Sequence, residues 1–301
     1  MAAGRPIRWH IAVFLAPAVA IYTVVMILPL FGTLNLALYG EEGFRGLDNF
    51  RTLFGDRRWS EQFWNALGNN VWFFVVHMLV QNPIGILLAA ILSSPRLRFR
   101  AFYRTAIFVP TILSFVAVAW VWRLILGNTW GVAPGFLDAV GLRSLFAPWL
   151  GKEEYALTAL ALISVWQFVG IPMMLIYAAL LSIPDEVLEA AEMDGITGFS
   201  RFRRVQLPLI LPAIGIISIL TFVGNFNAFD LIYVAQGALA GPDFSADILG
   251  TFLYRTFFGF QLQLGDPNMG AAIATAMFLI ILAGVCLYLF AIQTRLRRYQ
   301  F

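Results

Sequence analysis

Charge is scarce in this 301-residue sequence: 12% of its residues are Asp, Glu, Lys or Arg, where a soluble domain carries roughly 25%. Its one lysine, Lys152, is followed by Glu153, so the G-x-x-x-x-G-K-[ST] loop that cradles nucleotide phosphates is absent and ATP cannot be used by that route. A single cysteine, Cys286, excludes an intrachain disulfide and reads as a small apolar residue inside an apolar run. His10 and His77 lie far apart and share no ligand spacing, so no metal is expected. There is no paired-carboxylate, Ser/His/Asp or Cys/His constellation, which argues against an intramembrane enzyme. The pI of 9.2 comes with a net charge of only +3. The basic residues cluster beside apolar segments with no basic aromatic face, so membrane orientation explains them better than nucleic acid does.

What the sequence has instead is apolar length. It is 60% hydrophobic, with a mean hydropathy of +0.79. Six runs, at about 11–38, 66–92, 102–126, 155–181, 209–235 and 269–293, each reach the ~20 residues that a helix needs to cross a bilayer. The expected fold is an all-α polytopic membrane protein with a six-helix domain over 11–293 and short tails at 1–10 and 294–301. The first run is too long for the apolar region of a signal peptide and reads as a retained span. With the N-terminus inside, twelve of the 20 Lys and Arg fall on the inner side, among them Arg5, Arg8, Arg96, Arg201, Arg203, Arg204, Arg295, Arg297 and Arg298. The positive-inside rule therefore expects both termini in the cytoplasm, and the connection 184–208 with them.

Prolines and glycines interrupt the spans, notably Pro17, Pro29, Pro83, Pro110, Pro172 and Pro212. Each removes a backbone donor and is expected to kink its helix, as suits a moving bundle better than a rigid anchor. In the last span Gly270, Ala272, Ala274 and Ala276 set small residues at i, i+4, a pattern that permits close helix approach.

The connection 184–208 is built differently from the rest. Pro184, Asp185 and Glu186 suit the start of a helix, by fixed φ and by the helix dipole. Val187, Leu188, Ala190, Ala191 and Met193 make an apolar stripe, and Gly195 supplies a left-handed stop. A second short helix is expected from about Thr197, carrying Phe199, Phe202 and Val205, before Leu207-Pro208 leads to the fifth span. The acidic first helix, with Glu189, Glu192 and Asp194, would be repelled by anionic lipid, so docking on a soluble partner is the better reading.

At these residues the chain resembles the permease subunits of ATP-binding-cassette importers, whose loop reads Glu-Ala-Ala, three residues, Gly, nine residues, a branched aliphatic, one residue, Leu-Pro. Here it is Glu189-Ala190-Ala191, Gly195 and Val205-Gln206-Leu207-Pro208. Asp194-Gly195, Leu181-Ser182-Ile183-Pro184, Gly46-Leu47-Asp48-Asn49-Phe50, Phe102-Tyr103-Arg104, Trp120-Val121-Trp122 and the run from Asn225 to Tyr233 are similar to the carbohydrate-uptake branch. Pro134, and Gln236 to Pro242, depart from that branch at the outer mouth. The resemblance implies the type I (MetI-like) importer permease fold in a bacterial inner membrane and a second, related permease, giving a heterodimer. It further implies two ATPase subunits carrying ATP and Mg, and an extracytoplasmic solute-binding protein. This chain would bind no cofactor. The loop would seat in the ATPase through polar contacts from Glu189 and Asp194, close approach at Ala190 and Ala191, and the bend at Gly195. Phe199, Phe202, Leu207 and Pro208 complete the coupling loop.

Polar groups within spans are costly, so they face a pathway or another helix. Asn225, Asn227 and Asp230, beside Phe226 and Phe229, are the candidates for contact with a sugar, followed by Gln167 and Asn82. On the helical register Asn225 and Phe229 share one face, and Asn227 and Asp230 another. Interhelical hydrogen bonding is an equal alternative for each. An ion-gradient-driven transporter is the alternative function, and it would want more intramembrane acids than Asp230.

Overall fold

The computed structural model describes residues 9–94, 97–127, 131–261 and 263–293. Arg5, Arg8, Arg96, Arg295, Arg297 and Arg298, with most of both predicted tails, lie outside them. Among the described residues four helical stretches are long and apolar enough to cross a membrane without a sharp bend: Val13–Leu36, Arg57–Ser93, Leu211–Gln236 and Pro267–Phe290. Two more spans are bent pairs. Arg100–Ile112 and Phe115–Leu126 meet at 97°, and Glu153–Phe168 and Gly170–Leu181 at 42°. Counting each bent pair as one span gives six, the third and fourth sharply bent rather than continuous.

Helix starts follow local chemistry. The second span begins well before its apolar run because the Asp56 carboxylate accepts from the backbone N–H of Arg58 at 3.0 Å and Trp59 at 3.3 Å. The sixth begins at Pro267, with Asp266 accepting from Met269 N at 2.9 Å. In the third, Pro110 sits in a tight turn, Val109–Ile112, and Ser114 restarts the helix by accepting from Val116 N at 3.3 Å.

At three prolines the helix widens into a π turn. Thr23–Ile27, His77–Gln81 and Phe202–Gln206 are π-helical turns, and Pro29, Pro83 and Pro208 each stand two residues past the turn's end. The residue just before each proline donates its N–H five residues back, Leu28 to Thr23, Asn82 to His77 and Leu207 to Phe202. The wider turn gives the proline ring room where an α-helical carbonyl would collide with it.

Three clusters form the core. One joins spans two to five around Phe73, Val118, Leu160 and Leu231. A second joins the end of the first span to the second, fifth and sixth around Phe63, Phe226, Phe252 and Ile273. The third sits at the other end of the bundle, around Leu92, Met173, Ile176 and Ile217. Apart from its last turns, the first span lies on the outside, with Val13, Phe14, Val24 and Phe31 all exposed.

Glycine permits the tightest approaches. A Cβ on Gly85 would meet Pro172 side-chain atoms at 2.9 Å, and one on Gly170 would meet the Phe108 backbone at 3.0 Å. On Gly270 it would meet Phe257 at 2.8 Å, so the small-residue face of the last span serves this chain's own packing. Gly85→Val is expected to overpack the contact between spans two and four and to cost about 1–3 kcal/mol. Thermal unfolding in detergent would show it as a lower Tm than wild type.

Candidate functional site

The connection between spans four and five folds as the sequence expects, with two differences. Its first helix is Asp185–Met193, with Pro184 just outside it. Gly195 has φ +72°, and the turn is closed by Ile196 N to Ala191 O at 2.8 Å and Gly195 N to Glu192 O at 3.0 Å. This is the glycine-terminated helix end that satisfies otherwise orphaned carbonyls. The second segment is a short helix, Gly198–Arg201, running directly into the π turn Phe202–Gln206 and then Leu207–Leu209. Glu192 pairs with Arg201 across the elbow, so it is spent inside the loop.

The elbow turns a defined set of residues outward. Glu189, Ala190, Asp194 and Gly195 are exposed, as are Met193 at 88% and Phe199 at 76%. Among the described residues Glu189 and Asp194 have no ion-pair partner. Ala191 is buried, which corrects the expectation that both alanines offer a surface for close approach: Ala190 alone does. Phe202 and Pro208 are half-buried. At the two ends of the elbow, Ile183 and Leu207 pack against the core cluster of Leu92, Met173, Ile176 and Leu180. Packed side chains thus connect the elbow to spans two, four and five.

A cavity of about 470 Å³ opens between spans two, three, four and five. Its walls include members of the first and third core clusters, such as Phe73, Leu231 and Ile217, so it lies between the two halves of the bundle. Of the seven residues expected on the pathway, Asn225, Asn227, Phe229 and Asp230 line it. The reason is not the helical register that the sequence suggests. The fifth span breaks, its first helix ending at Phe226 and its second starting at Asp230. The unwound stretch brings both expected faces to one wall. Non-helical backbone at membrane depth is tolerated where it lines a cavity. The break is seated by Gly250, where a Cβ would meet Ala228 O at 2.6 Å. Phe229 stacks on Tyr233, with ring centroids 4.9 Å apart, and Tyr254 lies 5.2 Å from Phe229.

The other three serve packing. Phe226 is buried in the second core cluster, 4.5 Å from the Phe222 ring. Gln167 is fully buried where the two bent spans meet: its Nε2 donates to Leu113 O at 3.0 Å, and Thr111 Oγ1 donates to its backbone O at 3.0 Å. Each span thus supplies partners for the backbone freed by the other's break. Asn82 and Thr221 bond at 3.3 Å, tying span two to span five.

The sequence reading missed two groups. His77 and Ser164 line the cavity 3.0 Å apart, and Gln81, a polar in-span residue near Pro83, lines it with them. At the end of the bundle opposite the elbow, Asp247 and Arg255 form a buried ion pair of 2.7 Å. Arg255 also donates to Ala238 O at 2.8 Å, and Thr251 to Asp247 at 2.7 Å. Asn69 donates to Asp247 O at 2.8 Å, and Asn70 accepts from Leu249 N at 2.8 Å. The connection between spans five and six is thereby pinned to the second span.

A bundle of broken spans around a cavity, with an exposed charged elbow at one end, defines a membrane component of a solute-transport system. Residues 81–299 match the family described as binding-protein-dependent transport system inner membrane component, and the chain belongs to it. It is 31% identical over 277 residues to the probable ABC transporter permease protein YurN of Bacillus subtilis, covering 90% of this chain and 91% of that one. To the lactose transport system permease protein LacF of Rhizobium radiobacter it is 30% identical over 280 residues, covering 92% and 91%. A chain of the bacterial alginate ABC transporter, crystallised in complex with an alginate pentasaccharide-bound periplasmic protein, superimposes with a TM-score of 0.79. That alignment covers 97% of this chain and 96% of the other at 23% identity, and it confirms the fold. The chain is thus an ABC importer permease of the inner membrane.

Proposed function

We propose that this permease forms, with a second related permease, the pathway for a sugar or sugar-like solute. An extracytoplasmic binding protein delivers the solute, and two ATPase subunits drive its passage. The cavity wall of Asn225, Asn227, Phe229 and Asp230 carries this reading, because amides and a carboxylate match hydroxyls while an aromatic ring takes the C–H face. The names of the relatives favour sugars, LacF by lactose and a Thermococcus litoralis permease by trehalose and maltose. The elbow 184–208 faces the cytoplasm in this reading, as do both termini, and docks on an ATPase.

Affinity purification of the tagged chain from its own membranes tests the assembly. The expected complex holds one second permease and two ATPase copies, whereas recovery of this chain without an ATPase contradicts it. Within the cavity, Asn225→Leu keeps the volume and removes the amide. It is expected to cut uptake roughly 2- to 12-fold, the worth of about 0.5–1.5 kcal/mol for one neutral hydrogen bond. Initial uptake rates, normalised to assembled complex, give the measure.

A further inference from the structure

The polar atoms of the cavity are mostly acceptors. Asn225 Nδ2 donates to Thr221 O at 2.7 Å and Asn227 Nδ2 to Val223 O at 2.9 Å. Since a carbonyl can only accept, both amide nitrogens are turned to the backbone, and neither Oδ1 has a donor among the described residues. Thr221 Oγ1 gives its proton to Ile217 O at 2.8 Å or to Asn82 Oδ1 at 3.3 Å. His77 Nδ1 faces Phe73 O at 2.8 Å and so carries a hydrogen. In the neutral ring Nε2 then accepts from the Ser164 hydroxyl at 3.0 Å, leaving the serine lone pairs free. Asp230 adds a carboxylate. Among the described lining residues there is no lysine or arginine.

We infer that this cavity selects neutral, hydroxyl-rich solutes over acidic ones. The inference rests on the proposed sugar pathway. Solute hydroxyls donate to Ser164, Asn225 and Asn227. A uronate carboxylate in the same place meets acceptors and Asp230 with no cation to offset its desolvation, a mismatch that rejects it.

The test is equilibrium dialysis of two labelled probes, maltotriose and trimannuronate, against the permease–ATPase complex in nanodiscs without binding protein. Maltotriose should bind at least ~10-fold more tightly than trimannuronate, one unfavourable charge contact being worth that much or more. Asp230→Asn should narrow the gap. Equal or tighter trimannuronate binding overturns the inference. So does an Asp230→Asn protein that leaves the gap between the two probes unchanged. Absence of maltotriose binding while the whole importer still takes up sugar on ATP also overturns it. Loss of ATP-driven sugar uptake by the wild-type importer instead strikes the proposed function itself.

Discussion

Gly195→Trp and Glu189→Lys should each abolish uptake while the protein still inserts and assembles its membrane domain. At Gly195 the backbone has φ +72° and nothing lies within 4 Å of where a Cβ would stand. The intrinsic cost of a side chain there is left-handed strain of about 1–2 kcal/mol, too little to unfold a domain stable by about 5–15 kcal/mol. The indole must instead project from the face that we assign to the ATPase. Glu189 is exposed and has no ion-pair partner among the described residues, so its reversal is aimed at what docks on it. Misplacing one partner of a desolvated charge contact costs about 2–5 kcal/mol, roughly 30-fold and upward. Membrane yield and uptake measured on the same preparation separate docking from folding. Normal uptake by both variants would remove the elbow from the mechanism.

Arg255→Ala should be the most damaging substitution for stability. Arg255 and Asp247 are almost wholly buried, with 3% and 1% of their side chains accessible. Deleting one partner leaves an uncompensated buried charge at about 3–5 kcal/mol. Burial already pushes the Asp247 carboxyl up, opposed by the Arg255 guanidinium and the Thr251 hydroxyl. Without Arg255 only the hydroxyl would oppose it. A carboxyl whose folded pKa is raised is favoured protonated in the folded state, so the variant's deficit should shrink as pH falls through that raised pKa and grow above it. Tm against pH for wild type and variant gives both signs. A double replacement of Asp247 and Arg255 by Leu and Met should recover part of the loss, since no charge is then stranded.

Local chemistry was legible where the cause lies within a few residues. Gly195 followed the apolar stripe at the spacing of a helix stop, and the structure closes it with the expected backbone bonds. Prolines announced a local disturbance, but not the π turns, because a π turn depends on where the preceding carbonyls find partners. The 97° bend had a local trace in Pro110 followed by Ser114, a breaker and then a cap, set inside one apolar run and read as continuous. The break at 227–229 had no comparable signal. It depends on Gly250, far along the chain, which receives the Ala228 carbonyl.

Polar residues within spans were visible as costly, but their destinations are tertiary. Gln167 and Asn225 look alike in sequence; one staples two broken helices and the other lines the cavity. His77 was set aside for want of a second ligand nearby in sequence, and its partner Ser164 is 87 positions away. Asp247 and Arg255 lie eight apart in a connection with no regular pattern. Only the folded chain shows the two charges sharing one buried site.

In the proposed assembly, work enters this permease from partner ATPases. Proteoliposomes holding the purified importer, with binding protein outside, ATP trapped inside and all ion gradients dissipated, test it most directly. Solute should accumulate inside only when hydrolysable ATP is enclosed. Accumulation that ignores ATP and follows an imposed proton or sodium gradient would contradict the account.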